Sequence, residues 1–147
     1  MRVSTDAPLA EITLRKYPRP YQLSKRELVK RLCLSMGLLQ PADSRDVIVD
    51  VFHSILTSNK DLSSDAIVKA VISHRKKHKL PLVGIAPSNI RRQIKRLRDL
   101  FLVEKVGTSY RMTEGETLHD IFVEKIEQFY VKTIMERVKE YCKSLEQ

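Results

Sequence analysis

Apolar residues recur every three to four positions along most of this chain, and this spacing predicts five helices. The predicted helices span residues 25–36, 43–59, 64–78, 88–100 and 114–145. Ser24 with Glu27, and Thr113 with Glu116, form capping boxes that start the first and the last of them. The other three begin at polar or proline residues, which are Asp43 or Ser44, then Ser63, then Pro87 with Ser88.

Two other patterns predict extended structure. Residues 12–14 alternate apolar and polar side chains, which favours a short strand before the first helix. Residues 102–106 and 109–112 are strand-like runs separated only by Gly107 and Thr108. A two-residue link with glycine first is typical of a type II′ β-hairpin.

The composition is that of a folded, soluble chain with one domain. The 147 residues are 42% hydrophobic and 31% charged, with only four glycines and no tryptophan, which favours a helix-dominated fold. No run approaches the roughly 20 apolar residues of a membrane span, and the first 17 residues lack the apolar segment of a signal peptide. Cys33 and Cys142 lie far apart, so we expect both to be buried apolar residues in a reduced, cytoplasmic protein.

The excess positive charge is confined to one part of the chain. Nine basic residues and no acidic residue fall between Arg75 and Arg98, and this number equals the whole net charge of +9. At about 100° per residue the fourth helix turns Ile90, Ile94 and Leu97 to the inside. Its opposite face collects Arg91, Arg92, Lys95, Arg96 and Arg98. Like charges repel one another on a bare helix, so such a face favours a polyanionic partner.

The order of two helices, a basic helix and a tight hairpin resembles the winged-helix domain of bacterial and archaeal transcription regulators of the MarR and ArsR kind. Residues 87–113, PSNIRRQIKRLRDLFLVEKVGTSYRMT, are the most specific part of the resemblance. Phe101 stands where the family usually has glycine, and the connection 79–86 is longer than the usual turn. The resemblance implies a mainly α fold, a winged helix-turn-helix over 43–113, with an N-terminal extension (short strand plus helix) over 1–42 and a long C-terminal helix over 114–147.

In that family the third helix of the domain lies in the DNA major groove, and the hairpin touches the backbone or the minor groove. The resemblance therefore implies that helix 88–100 reads duplex DNA and that hairpin 102–112 is the wing. Arginine can bind guanine edges, and the polar helix start can reach phosphates or adenine. The candidate DNA-binding residues are Ser88, Asn89, Arg91, Arg92, Lys95, Arg96, Arg98, Lys76, Lys77, Lys105 and Arg111. Lys125 and Lys132 are expected to take no part.

The last predicted helix is about 45 Å long, which is more than a domain of this size can cover. Its apolar stripe either packs back onto the first helices or joins two copies of the chain. The candidate dimerisation residues are Leu118, Phe122, Ile126, Phe129, Ile134 and Val138. A symmetric dimer presents two recognition helices about 34 Å apart and favours a palindromic site.

Patterns for catalysis and metal binding are weak. Several aspartates lie at predicted helix starts, where capping explains them, namely Asp43, Asp46, Asp61 and Asp65. His74 and His78 have the i,i+4 spacing of metal ligands, but their sequence neighbours are cationic and include no carboxylate or thiol. We therefore expect no enzyme activity, no cofactor and no metal, and we expect these histidines to be exposed or to contact phosphates.

Two alternative functions remain open from the sequence. The same fold can dock an acidic protein partner in a replication, repair or transcription assembly. It can also bind RNA, for which exposed aromatic residues beside the basic block are typical, and the block itself contains none. The sequence leaves open the target site, a small-molecule effector, and whether the effect is repression or activation.

Overall fold

The computed structural model describes residues 5–147 and shows a mainly helical chain with one small antiparallel sheet, compatible with a winged helix. The elements are α1 Lys25–Ser35, α2 Val47–Thr57, β1 Leu62–Ser63, α3 Ser64–Lys77, α4 Pro87–Asp99, β2 Val103–Val106, β3 Ser109–Met112, a 3-10 turn Thr113–Gly115, α5 Leu118–Ile121, a π-helix Phe122–Val131 and α6 Lys132–Leu145. Within residues 5–147 no helix is both long enough and apolar enough to cross a membrane.

The hydrophobic core surrounds α2. Seven of the eleven residues of this helix are buried, because α1, α3 and α4 all pack against it. Phe52 at its centre is fully buried. The neighbouring helices each add an apolar stripe, with Ile67 and Val71 from α3 and Ile90 and Ile94 from α4. Each large side chain buried in this way contributes roughly 1.5–3 kcal/mol to stability.

The segment around residues 12–15 packs on the end of α1, and the strand predicted for residues 12–14 does not form. The backbone N–H of Arg15 donates to the carbonyl of Ser35 at 2.8 Å. A Cβ at Gly37 would lie 2.6 Å from the Cβ of Thr13, so the extension can cross here only because residue 37 has no side chain. The alternating pattern therefore reflects packing against a helix end, with Ile12 half-buried against the core.

The sheet contains a strand that the sequence pattern does not predict. β1 pairs antiparallel with β3, placing Leu62 opposite Tyr110, and β3 pairs with β2 across the hairpin. Gly107 has φ +63° and Thr108 has no positive φ, as a type II′ turn requires. A strand of two residues is too short to show an alternation of apolar and polar side chains, so the sequence pattern does not predict β1.

The end of α4 shows how Phe101 replaces the usual glycine. Phe101 has φ +64°, in the left-handed region. Its N–H donates to the carbonyl of Arg98 at 2.9 Å, and the N–H of Leu102 donates to that of Leu97 at 3.1 Å, which is the Schellman pattern. A side chain in this conformation costs about 1 kcal/mol. The edge contact of its ring with Tyr130, at 5.4 Å between centroids, offsets that cost.

The C-terminal helix begins later than predicted. Glu114 takes a left-handed conformation with φ 56°, so Thr113 starts only a short 3-10 turn. Thr117 caps the helix instead, its hydroxyl accepting from the N–H of Asp120 at 3.3 Å. The predicted capping box of Thr113 and Glu116 is therefore wrong, although the pattern of a threonine followed by an acid recurs one turn later.

α5, the π-helix and α6 run on as one continuous helix, whose first half belongs to the core. Ile126 is fully buried, and Leu118 and Phe122 pack against the core. Ile126 is thus a core residue, which corrects its prediction as a dimer contact, and Leu118 and Phe122 are partly buried where this part of the stripe packs back onto its own chain. The π-helix winds more residues per turn than an α-helix, and Phe129 lies off the packed side with 57% of its surface exposed.

The second half of this helix extends beyond the core. Ile134 is half-buried and Val138 is exposed, so these two predicted dimer residues remain accessible. Other exposed apolar side chains lie on the same stretch, namely Met135, Tyr141 and Leu145.

The two cysteines have different environments. Cys33 is buried as predicted, and its burial raises the pKa of the thiol to about 12. Cys142 is exposed on α6, so its predicted burial is wrong. The prediction depended on the apolar stripe of the C-terminal helix. This stripe continues along α6, where no residue is buried by the core.

Candidate nucleic-acid interface

α4 has a buried apolar side and an exposed basic side. Ile90, Ile94 and Leu97 are at most 1% exposed and hold the helix on α2 and α3. Pro87 begins the helix, and its first turn contains no acidic residue. The exposed side chains include those of Ser88, Arg91, Arg92, Lys95 and Arg98, with Asp99 as the one exposed acid of the helix. The structure thus places these five predicted residues on the solvent side of one helix.

Most of the exposed charge on α4 is unpaired. Over residues 5–147, Arg91, Arg92 and Arg98 form no ion pair. Lys95 Nζ lies 3.0 Å from a carboxylate oxygen of Asp99, and both side chains are more than 60% exposed. Such an exposed i,i+4 pair contributes only about 0.3–0.5 kcal/mol, so a phosphate can replace it easily.

Asn89 and Arg96, which are predicted to contact DNA, form hydrogen bonds within the protein instead. Asn89 Nδ2 donates to the carbonyl of Gly84 at 2.8 Å. Arg96 donates to the carbonyl of Leu38 at 2.7 Å and to Gln93 Oε1 at 2.9 Å. Gln93 in turn donates to Asn89 Oδ1 at 3.2 Å. This chain of hydrogen bonds fixes α4 against the loops before α2 and before α4, so both side chains position the helix.

The basic end of α3 divides into exposed and buried parts. Lys76 and Lys77 are exposed and have no acidic partner within the described chain. Arg75 is only 3% exposed, and its Nε donates to the carbonyl of Pro81 at 2.8 Å. Its Nη1 donates to the carboxylates of Asp50 in α2 and of Asp46 immediately before α2. One of the nine basic residues is therefore neutralised inside the protein and does not contribute to the surface charge.

These carboxylates belong to a buried ionic cluster that joins α1, α2 and α3. Asp50 is fully buried and accepts from Arg26 at 3.0 Å and from Arg75 at 2.6 Å. His74 Nδ1 lies 2.7 Å from the same carboxylate. Asp46 accepts from both arginines and makes no capping bond to its helix, so the capping explanation fails for Asp46. Burial raises the pKa of Asp50, but the hydrogen bonds outweigh it and lower that pKa below its usual value.

The histidines next to this cluster stack on one another. The rings of His53 and His74 are 4.3 Å apart and nearly parallel, and the ring of His78 meets His74 edge-on at 4.4 Å. The expectation that no carboxylate lies near His74 is wrong, because α2 supplies Asp50 across the helix pair. In the part of the chain that the structure describes, no group of His, Cys and carboxylate residues is arranged to hold a metal.

We expect stability to fall as the pH drops through the range where histidine titrates. Burial, and then the neighbouring His74, lower the pKa of His53 below its usual 6.5. As the pH falls, the unfolded chain therefore binds a proton at His53 before the folded chain does. The free energy of unfolding is at its full value above about pH 6.5 and decreases below it. The urea midpoint should drop between about pH 7 and pH 5, and His53→Gln should weaken that dependence. An unchanged dependence in the variant would contradict the role of His53.

The hairpin offers one unpaired cation. Lys105 is exposed, with Nζ 5.9 Å from the ring centroid of Tyr110, and it has no acidic partner in residues 5–147. Arg111 Nε donates to Glu104 at 2.7 Å across the two strands. Tyr110 is 8% exposed and packs inward. Of the two predicted wing contacts, Lys105 is thus the one whose charge is available.

A cleft of about 610 Å³ lies where α4, the hairpin and the C-terminal helix meet. Lys95 and Arg98 line it from α4, and Lys125 lines it from the π-helix. Lys125, which is expected to take no part in DNA binding, therefore lies beside basic residues of α4. Nothing in the local sequence indicates this position, because only the return of the C-terminal helix over the core brings it there.

Comparisons of this chain with protein-family models, with curated proteins and with solved structures gave no match.

Proposed function

We propose that this protein binds duplex DNA in a sequence-dependent way, as a dimeric transcription regulator with a winged-helix domain over residues 43–113. The observation that carries the proposal is the outer face of α4. Arg91, Arg92 and Arg98 are exposed there without acidic partners in the described residues, on a helix whose inner side is fully buried. A helix is about 10–12 Å wide with its side chains, and the major groove of B-DNA is about 12 Å wide.

Each part of the basic surface has a distinct role in this proposal. Arg91 and Arg92 reach base edges, where the planar guanidinium can bind guanine with two hydrogen bonds. Lys76 and Lys77 bind phosphates at the end of α3, and Lys105 binds the backbone beside the hairpin. Neutralising phosphates releases counterions from the DNA, so the affinity depends strongly on salt.

The exposed half of the C-terminal helix supplies the dimer contact in this proposal. Ile134 and Val138 remain accessible there, next to Met135 and Tyr141. Pairing of two copies would cover an apolar stripe that otherwise stays in water. It would also present two α4 helices to half-sites about one turn of DNA, or 34 Å, apart.

We expect duplex DNA to bind more tightly than single-stranded DNA or duplex RNA, because the deep, narrow major groove of RNA does not admit a helix. Fluorescence titrations at two salt concentrations test this, with the log of the affinity falling by roughly 0.9 per phosphate contact per log unit of salt. Selection from random duplexes should return a palindromic site. Equal affinity for all three nucleic acids, or no binding to any of them, would contradict the proposal.

A further inference from the structure

The cleft between α4, the hairpin and the C-terminal helix differs from the rest of the basic surface in containing an exposed aromatic ring. Phe129 lines the cleft and is 57% exposed. Its ring meets that of Phe101 edge-to-face, with centroids 6.3 Å apart and planes at 86°. Phe101 is held in turn by the end of α4 and by Tyr130. The exposed ring is therefore supported from below and has a fixed place.

Four cations and two carboxylates line the cleft together with this ring, and both carboxylates, those of Asp99 and Glu104, are paired with basic side chains. Arg98 and Lys105 line the cleft and have no acidic partner among residues 5–147. Lys95 and Lys125 line it too, each in a surface ion pair, with Asp99 at 3.0 Å and with a glutamate of the 3-10 turn at 3.2 Å. An apolar peptide would have to bury these charges, which is costly. A strand with a phosphate backbone and flat bases is complementary to both the cations and the ring.

We infer that this cleft binds a short stretch of unpaired nucleic-acid strand, with one base stacked on Phe129 and its phosphates on Arg98 and Lys105. The inference rests on the proposed function, because Arg98 and Lys95 belong both to the cleft and to the outer face of α4. A basic groove with an aromatic platform is the arrangement by which proteins hold single strands without sequence preference. The protein would then prefer duplex sites next to a melted or frayed segment.

The test compares a blunt duplex with the same duplex carrying a five-nucleotide unpaired extension at its 5′ or its 3′ end. Base stacking on an aromatic side chain contributes about 1–3 kcal/mol, so one extended duplex should bind roughly 5- to 150-fold more tightly than the blunt one. Phe129→Ala should remove this preference and leave the affinity for the blunt duplex within about twofold. Phe129→Tyr should retain it, because the ring is kept.

A matched control is Leu14→Ala, since Leu14 is similarly exposed and belongs neither to the cleft nor to the proposed dimer contact. It should keep the preference for the extended duplex. A 2-aminopurine base in the extension reports stacking directly, and its fluorescence should be quenched by the wild-type protein and not by Phe129→Ala.

Three outcomes would overturn the inference. One is equal affinity of the wild-type protein for blunt and extended duplexes. Another is a preference that survives in Phe129→Ala. A third is a monomeric Phe129→Ala in sedimentation, with equal losses on both duplexes, which would make Phe129 a dimer contact. Failure to bind the blunt duplex at all would instead refute the proposed function, so the two failures are distinguishable.

Discussion

Replacing Arg91 and Arg92 together by alanine is expected to lower the affinity for the selected duplex by roughly 30-fold to 10⁴-fold. Both side chains are exposed on α4 and have no acidic partner in residues 5–147, so their removal breaks no internal contact. A guanidinium bound to a base edge contributes about 1–3 kcal/mol, and two such contacts give this range. Fluorescence anisotropy at fixed salt measures the loss, and circular dichroism should show an unchanged fold.

The matched control is the pair Lys139→Ala and Lys143→Ala. Both lysines are exposed on α6 and have no ion pair within the described residues, so the double variant removes the same charge away from the basic face. It should change the affinity by no more than about twofold, because exposed charges more than a Debye length apart are largely screened. Equal losses from both double variants would show that net charge, and not the face of α4, determines binding.

A second comparison separates base contacts from phosphate contacts. Arg91→Lys with Arg92→Lys keeps both charges but loses the planar fork that binds guanine. We expect this variant to retain most of its non-specific affinity and to lose discrimination between the selected site and a scrambled one. If the selected site is still preferred to the same degree, the two arginines contact phosphates only.

The sequence was sufficient to predict the helices and the outer face of α4, because both follow from local periodicity. A helix with Ile90, Ile94 and Leu97 at its spacing can bury only one side, so most of the basic residues between and beyond them face out. The hairpin was predictable for a similar reason, since a two-residue link beginning with Gly107 determines its turn type. The hairpin residues and α4 are close in sequence, so no long-range information was needed.

The partners of individual charges were not predictable, because they come from distant elements. Arg75 stands in a run of basic residues, and this pattern predicts an exposed cation. In the structure, α2 places the carboxylate of Asp50 against its guanidinium. Arg96 is in register with the outer face, yet the loop before α2 offers it the carbonyl of Leu38. The periodicity of apolar residues predicts only the direction in which a side chain leaves its own helix. What another helix or loop brings to that position depends on packing.

The C-terminal helix shows a different limit. A continuous apolar stripe predicted either return onto the core or a dimer contact, and the structure divides it, with Ile126 buried and Val138 exposed. The π-helix between them changes the residues per turn, so Phe129 lies outside the stripe that an α-helical period assigns to it. Only the three-dimensional path of this helix brings Phe129 and Lys125 next to α4.

Asp50→Ala is expected to lower the free energy of unfolding by roughly 3–5 kcal/mol, which is a large part of the 5–15 kcal/mol typical of a domain. The substitution leaves Arg26 and Arg75 with Asp46 as their only carboxylate partner among residues 5–147, and it removes the carboxylate that contacts His74. Breaking a buried ion pair is far more costly than the loss of a surface pair, because the remaining buried charge is less well compensated. Urea denaturation followed by circular dichroism measures the change.

The control is Asp99→Ala, which removes an exposed partner of Lys95 and should cost no more than about 0.5 kcal/mol.

Asp50→Asn keeps the shape of the side chain and removes only its charge. We expect it to lie between Asp50→Ala and the wild type, because an amide can accept one of the hydrogen bonds. A loss below about 1 kcal/mol in Asp50→Ala would mean that water compensates the cluster. Since Arg75 also holds the carbonyl of Pro81 in the connection before α4, a destabilised cluster should weaken duplex binding too, although Asp50 is buried away from the outer face of α4.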